Sequence, residues 1–126
     1  MGRNRQWQCG TGRLGVPTGE PGGVAVEIAA SYGTRRRGLL GRDGIAGALL
    51  LTRCNCVHTV GMRFAIDVAY LDRELRVVDL HTLVPGRLAL PRLRARHVLE
   101  ARAGAFAGWG VEVGAVLTVS TAGDDA

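Results

Sequence analysis

The stretch Cys54-Asn-Cys-Val-His-Thr-Val-Gly-Met-Arg-Phe-Ala-Ile-Asp-Val-Ala-Tyr-Leu-Asp72 gathers two thiols, an imidazole, a thioether and a carboxylate around one apolar run. Its second half decides the fold class. Phe64, Ile66, Val68 and Tyr70 fall on one side and Asp67 on the other, which is the period of a β-strand. Asp72-Arg-Glu-Leu75 then reads as a hairpin turn into a further strand over residues 76–84.

Working outward, Val24, Val26 and Ile28 alternate with Ala25 and Glu27 in the same period. Ser31 is placed to cap a short helix through Thr34-Arg-Arg-Arg-Gly-Leu-Leu-Gly41, which its own glycines end. On that helix Arg35, Leu39 and Arg42 share one side while Arg36 and Leu40 share another, so the three consecutive arginines do not form one flat patch. Ala48–Thr52 reads as a buried strand. Residues 85–94 form a loop punctuated by Pro85-Gly86 and Pro91, and His97-Val-Leu-Glu100 is a strand beyond it. One helical turn within 104–110 presents Phe106 and Trp109, and residues 116–121 make a last strand. Many short strands with two minor helices predict a mainly β protein, a compact antiparallel β-barrel or sandwich.

A chain of 126 residues, 47% hydrophobic, makes one domain with a single packed core. Residues 1–22 are rich in Gly and Arg, contain Pro17 and Pro21, and show no periodicity, so they are expected to be a flexible arm whose removal leaves stability unchanged. The domain then spans 23–121, with 122–126 as a tail. All 16 basic residues are Arg, against 11 acidic ones, for a net charge of +5. Excess positive charge attracts anions nonspecifically, but only 5% of residues are aromatic, so platforms for stacking bases are scarce. Nucleic acid is a disfavoured partner, held open only as weak nonspecific binding through the arm and residues 85–102. The first ten residues carry no apolar run, which predicts a cytoplasmic protein with no membrane association. Three cysteines, an odd number, argue for reduced thiols rather than a disulfide framework.

Ser31, Arg35, Gly38-Leu-Leu40, Val57-His-Thr59 with Met62, Ile66-Asp67, Leu71-Asp72, Val98-Leu-Glu100, Gly104-Ala105, Gly110 and Gly114 follow one another in an order that resembles the bacterial and archaeal domain of unknown function 192. The resemblance covers roughly residues 24–119, most of a single-domain chain. It implies a mostly antiparallel β domain of uncharacterised role. Val57-His-Thr-Val-Gly-Met62 stands where many relatives carry Phe-Trp-Met-Lys-Asn-Thr, and the His-Thr form resembles a subgroup. Gly114-Ala115 replaces the usual Gly-Asp, and Arg102 replaces a Pro, which leaves that bend less rigid.

Several readings of the candidate residues stay open. Cys54, Cys56 and His58 would share one face of an extended strand and could ligate Zn²⁺ or Cu⁺, with Met62 as a soft addition. Same-face Cα atoms lie about 6.5 Å apart on a strand, wider than a compact tetrahedral site prefers, so a bulge would be required. The same residues could make a thiol nucleophile with His58 as its base, or they could simply pack. His81 and His97 have no motif around them and receive no role. Asp67, mid-strand among apolar residues, needs a partner, for which Arg35 is the first choice and Arg37 the second. Glu100 is equally out of character after Val98-Leu99. Arg35, His58, Thr59, Asp67 and Glu100 therefore form the candidate cleft. Residues 85–102 carry Arg87, Arg92, Arg94, Arg96 and Arg102 against only Glu100, and are read as a solvated loop and strand. The favoured function is a non-enzymatic module for a small ligand or a protein, without cofactor. A small enzyme or soft-metal site is the alternative.

Overall fold

The computed structural model describes residues 6–121, so the expected tail at 122–126 lies outside the described residues. In chain order the elements are β1 (Gly10–Gly15), β2 (Val24–Ala29), α1 (Tyr32–Arg37), β3 (Ala48–Thr52), β4 (Val57–His58), β5 (Ile66–Leu71), β6 (Val77–Leu83), β7 (Leu88–Ala89), β8 (His97–Arg102), α2 (Ala105–Trp109) and β9 (Thr118–Ser120). Seven strands form one sheet in the order β6-β5-β8-β3-β2-β1-β9, and β4 pairs with β7 in a second, two-stranded sheet.

The mainly β architecture with two short helices is as expected, and the large sheet curls into a half-barrel. A bridge between Arg76 and Val116 draws its two ends together. Around it Val77 N–H donates to the Ala115 carbonyl at 2.8 Å and Leu117 N–H to the Leu75 carbonyl at 3.0 Å. One pairing departs from an all-antiparallel expectation: β2 and β3 run parallel, with α1 in the crossover between them. Arg42, in the connection after α1, grips both oxygens of Glu27 on β2 at 2.8 Å and fastens the crossover to the sheet.

Alternation along each strand builds two cores. All seven strands of the large sheet contribute to the first, which includes Leu14, Val26, Leu50, Leu99 and Phe106 of α2, so this face lines the inside of the curl. The second holds Leu49, Leu51, Ile66, Val68, Tyr70 and Val98 under Leu39, Val57 and Met62. Phe64 packs against it, as its place in the alternation predicts.

Residues 1–5 of the expected arm at 1–22 lie outside the described residues, and over 10–16 the chain is not a flexible arm. Residues 10–15 are β1, paired with β2 on one side and with β9 on the other. Leu14 is 1% exposed and Val16 is buried in the first core. Gly12 and Gly15 serve close packing. A Cβ at Gly12 would collide with the Ser120 carbonyl, and one at Gly15 with the Thr118 hydroxyl. Residues 88–89, read as loop, are likewise a strand, because β4 gives them a partner.

Leu14→Ala is expected to cost about 2–5 kcal/mol in urea unfolding, the usual range for truncating a fully buried leucine. A loss within about 0.5 kcal/mol, typical of surface positions, would return residues 10–15 to the status of a dispensable arm.

Candidate functional site

Glu100 sits near the middle of β8, between Leu49 of β3 and Val68 of β5. The alternation that sends Leu99 and Ala101 into the curl turns Val98 and Glu100 toward the second core. The helix that covers this face is set by a reciprocal cap. Ser31 Oγ accepts from Thr34 N–H, and the Thr34 hydroxyl accepts from Ser31 N–H, both at 3.1 Å. Arg35 Nη1 donates to the Ala30 carbonyl at 2.8 Å, which holds its side chain beside the helix start. Gly38 closes α1 at φ 48° and ψ −127°, a conformation that side-chain-bearing residues rarely adopt. A Cβ there would lie 4.0 Å from Glu100 Oε1, so Gly38 brings the chain close over the carboxyl.

Between α1, β8 and residues 54–62 lies a cleft of about 60 Å³ lined by Arg35, Cys54, Cys56, His58, Met62 and Glu100, with Leu39 and Leu51 as apolar walls. Glu100 is only 4% exposed, and among the described residues no hydrogen bond reaches its carboxyl. Burial alone pushes its carboxyl up to about 7, because the ionised form has lost its water without gaining a partner. Burial also raises the Cys54 thiol, outweighing the Cys56 backbone.

The cleft brings Arg35, His58 and Glu100 together, but not Thr59 or Asp67. Thr59 is buried and pins the loop before β7: its hydroxyl donates to the Val84 carbonyl at 2.7 Å and accepts from Arg87 N–H at 2.8 Å. Asp67 points to the opposite face of the sheet. Asp67 does not form the expected ion pair with Arg35 or with Arg37. Asp67 accepts from the Thr82 hydroxyl at 2.8 Å, Gly104 N–H at 2.9 Å and Phe106 N–H at 3.1 Å. Gly104 offers no side chain to cap α2, so a carboxylate from the neighbouring strand satisfies those first N–H groups instead.

The single-face reading of Cys54, Cys56 and His58 also fails. Arg53, at φ 54°, turns the chain out of β3 immediately before Cys54, and residues 54–56 are not extended strand. Cys54 N–H donates to the Arg96 carbonyl at 2.9 Å, and its thiol to the Cys56 carbonyl at 3.2 Å. Among the described residues no group of three His, Cys, Asp or Glu side chains converges as a ligand set. His97 holds this turn, its Nδ1 accepting from Arg53 N–H at 3.0 Å, and burial drives its imidazole down to about 4. His81 meets Asp79 at 3.3 Å, and Arg92, which stacks over Tyr70, also bonds Asp79.

Cys9 was missed at the sequence level because its segment carried no strand pattern. Its exposed thiol is lowered to about 7 by hydrogen bonds, first with the Thr34 hydroxyl and then with Ala30 N–H. It stands outside the cleft. The crowding of Arg36 and Arg37 around the cleft was not legible either, since it depends on where α1 ends.

The family described as "DUF192: Uncharacterized ACR, COG1430" matches residues 16–119, and the chain belongs to that family. The UPF0127 protein PF1050 of Pyrococcus furiosus is 36% identical over 106 residues, 80% of this chain and 91% of its own length. The UPF0127 protein PH1112 of Pyrococcus horikoshii is 38% identical over 80 residues, 60% of this chain and 70% of its own length. Among solved structures, one from Sinorhizobium meliloti 1021, described as a "putative transcription regulator", superposes with a TM-score of 0.73 at 21% identity, covering 90% of this chain and 97% of that one. A protein of unknown function from Novosphingobium aromaticivorans gives 0.67 at 19% identity, over 86% and 81%. These two show the shared fold.

Glu100 makes stability depend on pH with a defined sign. Its folded value of about 7 stands above the ordinary 4.5, so the folded protein binds the extra proton and its stability falls as pH rises from about 4.5 through 7. His97 acts oppositely, losing stability below its ordinary 6.5, so the comparison must be between variants. Glu100→Gln is expected to match the parent near pH 4 and to exceed it by roughly 3 kcal/mol above pH 8. A difference between the two that does not change with pH would show that the carboxyl is not desolvated.

Proposed function

We propose that this domain is a non-enzymatic binding module whose cleft takes a small uncharged polar group against Glu100. The observation that carries the reading is Glu100 itself, 4% exposed, without a hydrogen-bond partner among the described residues, and lining an open cleft. The side chain is buried while its carboxyl still reaches the cleft, so a ligand that donates to it replaces solvation that burial has reduced. Arg35, Arg36 and Arg37 line the cleft, and positive charge on that side favours a ligand that also accepts hydrogen bonds and opposes a cation. A volume near 60 Å³ holds a few waters or one short polar group. A carboxamide, whether free or on a protein side chain, meets all three demands.

The enzymatic alternative would use Glu100 as an acid or base at neutral pH. It lacks an oriented nucleophile: among the described residues, His58 forms no hydrogen bond with Cys54 or Cys56. Three free thiols suit a reducing compartment, and we place the module in the cytoplasm.

Titration of isotopically labelled protein with acetamide tests the proposal. Saturable amide shifts are expected at Gly38, Leu39, Met62 and Glu100, with a dissociation constant in about the millimolar range for so small a probe. Glu100→Ala is expected to weaken binding at least about tenfold, the effect of one lost hydrogen bond to a charged group. Shifts that do not saturate, or that survive Glu100→Ala unchanged, would contradict the assignment.

A further inference from the structure

We propose that the outer face of the β4–β7 pair is a docking surface for an anionic lipid bilayer, with Leu88, Leu90 and Leu93 inserted between headgroups that Arg87, Arg94 and Arg96 hold. Val57 pairs with Ala89, and His58 with Leu88. Val57 is buried and Ala89 packs on the second core, so alternation turns Leu88 and Leu90 away from the protein. Leu88 is 73% exposed, Leu90 72% and Leu93 95%. Val60 and Val84, at the end of the same small sheet where Thr59 bonds the Val84 carbonyl, are also exposed. Single exposed apolar residues are ordinary on a surface, but five in and beside one two-stranded sheet, three of them within residues 88–93, call for an occupant.

Charge selects that occupant. Residues 84–96 carry four Arg and no acidic residue. Arg92 is paired with Asp79, whereas Arg87, Arg94 and Arg96 are exposed and make no ion pair among the described residues. A second copy of this chain docked by two-fold symmetry would set these guanidinium groups against one another. A bilayer needs no groove to receive protruding leucines and offers each Arg a phosphate. Among the described residues no helix is long and apolar enough to cross a membrane, and the proposed mode lies on the surface instead. The surface uses different residues from the Glu100 cleft, so either proposal can fail alone.

Sedimentation of the full chain with vesicles of phosphatidylcholine containing about one third phosphatidylglycerol, against phosphatidylcholine alone, tests this. Binding to the anionic vesicles is expected, and Leu88→Ser with Leu90→Ser should lower the partition coefficient at least about tenfold, as should Leu93→Ser. Arg87→Gln with Arg94→Gln should lower it on anionic vesicles and flatten its dependence on salt. Val113→Ser, at an exposed apolar position on a different segment, should change nothing. These positions are solvent-exposed, so melting temperatures should stay with the parent. The proposal is overturned if the parent does not sediment with anionic vesicles, or if the leucine variants sediment like the parent, which would leave only the general attraction of a +5 chain. It is also overturned if the parent is a dimer that Leu88→Ser with Leu90→Ser dissociates, since the occupant would then be a second copy.

Discussion

Everything in this domain is arranged around a strand buried on both faces. β8 lies between β3 and β5, with Leu99 and Ala101 committed to the inside of the curl and Val98 to the outer core. A strand in that position has no solvated side on which to place a charge. Glu100 nonetheless occupies its outer face, and the way α1, Gly38 and the turn at Arg53 close over it defines the cleft. Replacing the carboxyl by an apolar side chain of similar size would suit the packing better, so its presence favours a use over a structural role.

Asp67 shows what the same chain does with a buried carboxylate that serves structure. It lies on the adjacent strand, on the opposite face, and collects three donors, two of them the leading N–H groups of α2. Its charge is spread over fixed dipoles and its position is determined. Glu100 has no such donors, and its carboxyl rises to about 7. Two acids one strand apart are therefore set to different purposes by the face on which each falls.

Much of the fold was legible in the sequence, because alternation is strong wherever a strand has one large-residue face, as at Val24–Ala29 and Ile66–Leu71. The Ser31 cap and the short second helix were legible for similarly local reasons. β1 was hidden because Gly12 and Gly15 serve close strand contact, which no local pattern reports. The pairing of Asp67 was misjudged since its partners are backbone N–H groups brought in from residues 104–106, invisible to any argument from side-chain charge. Glu100, Arg35 and His58 line one cleft. The arrangement of Cys54 and Cys56 was not legible, because it turns on a left-handed backbone at Arg53, a residue type that gives no warning of it.

The claim on which this account rests is that Glu100 is desolvated and unpartnered in the free protein. Carbon-13 titration of the Glu100 side-chain carboxyl, assigned by its loss in Glu100→Gln, measures that directly. The account predicts a midpoint near 7, and a midpoint near the ordinary 4.5 would contradict it by showing a carboxylate already hydrated or already paired.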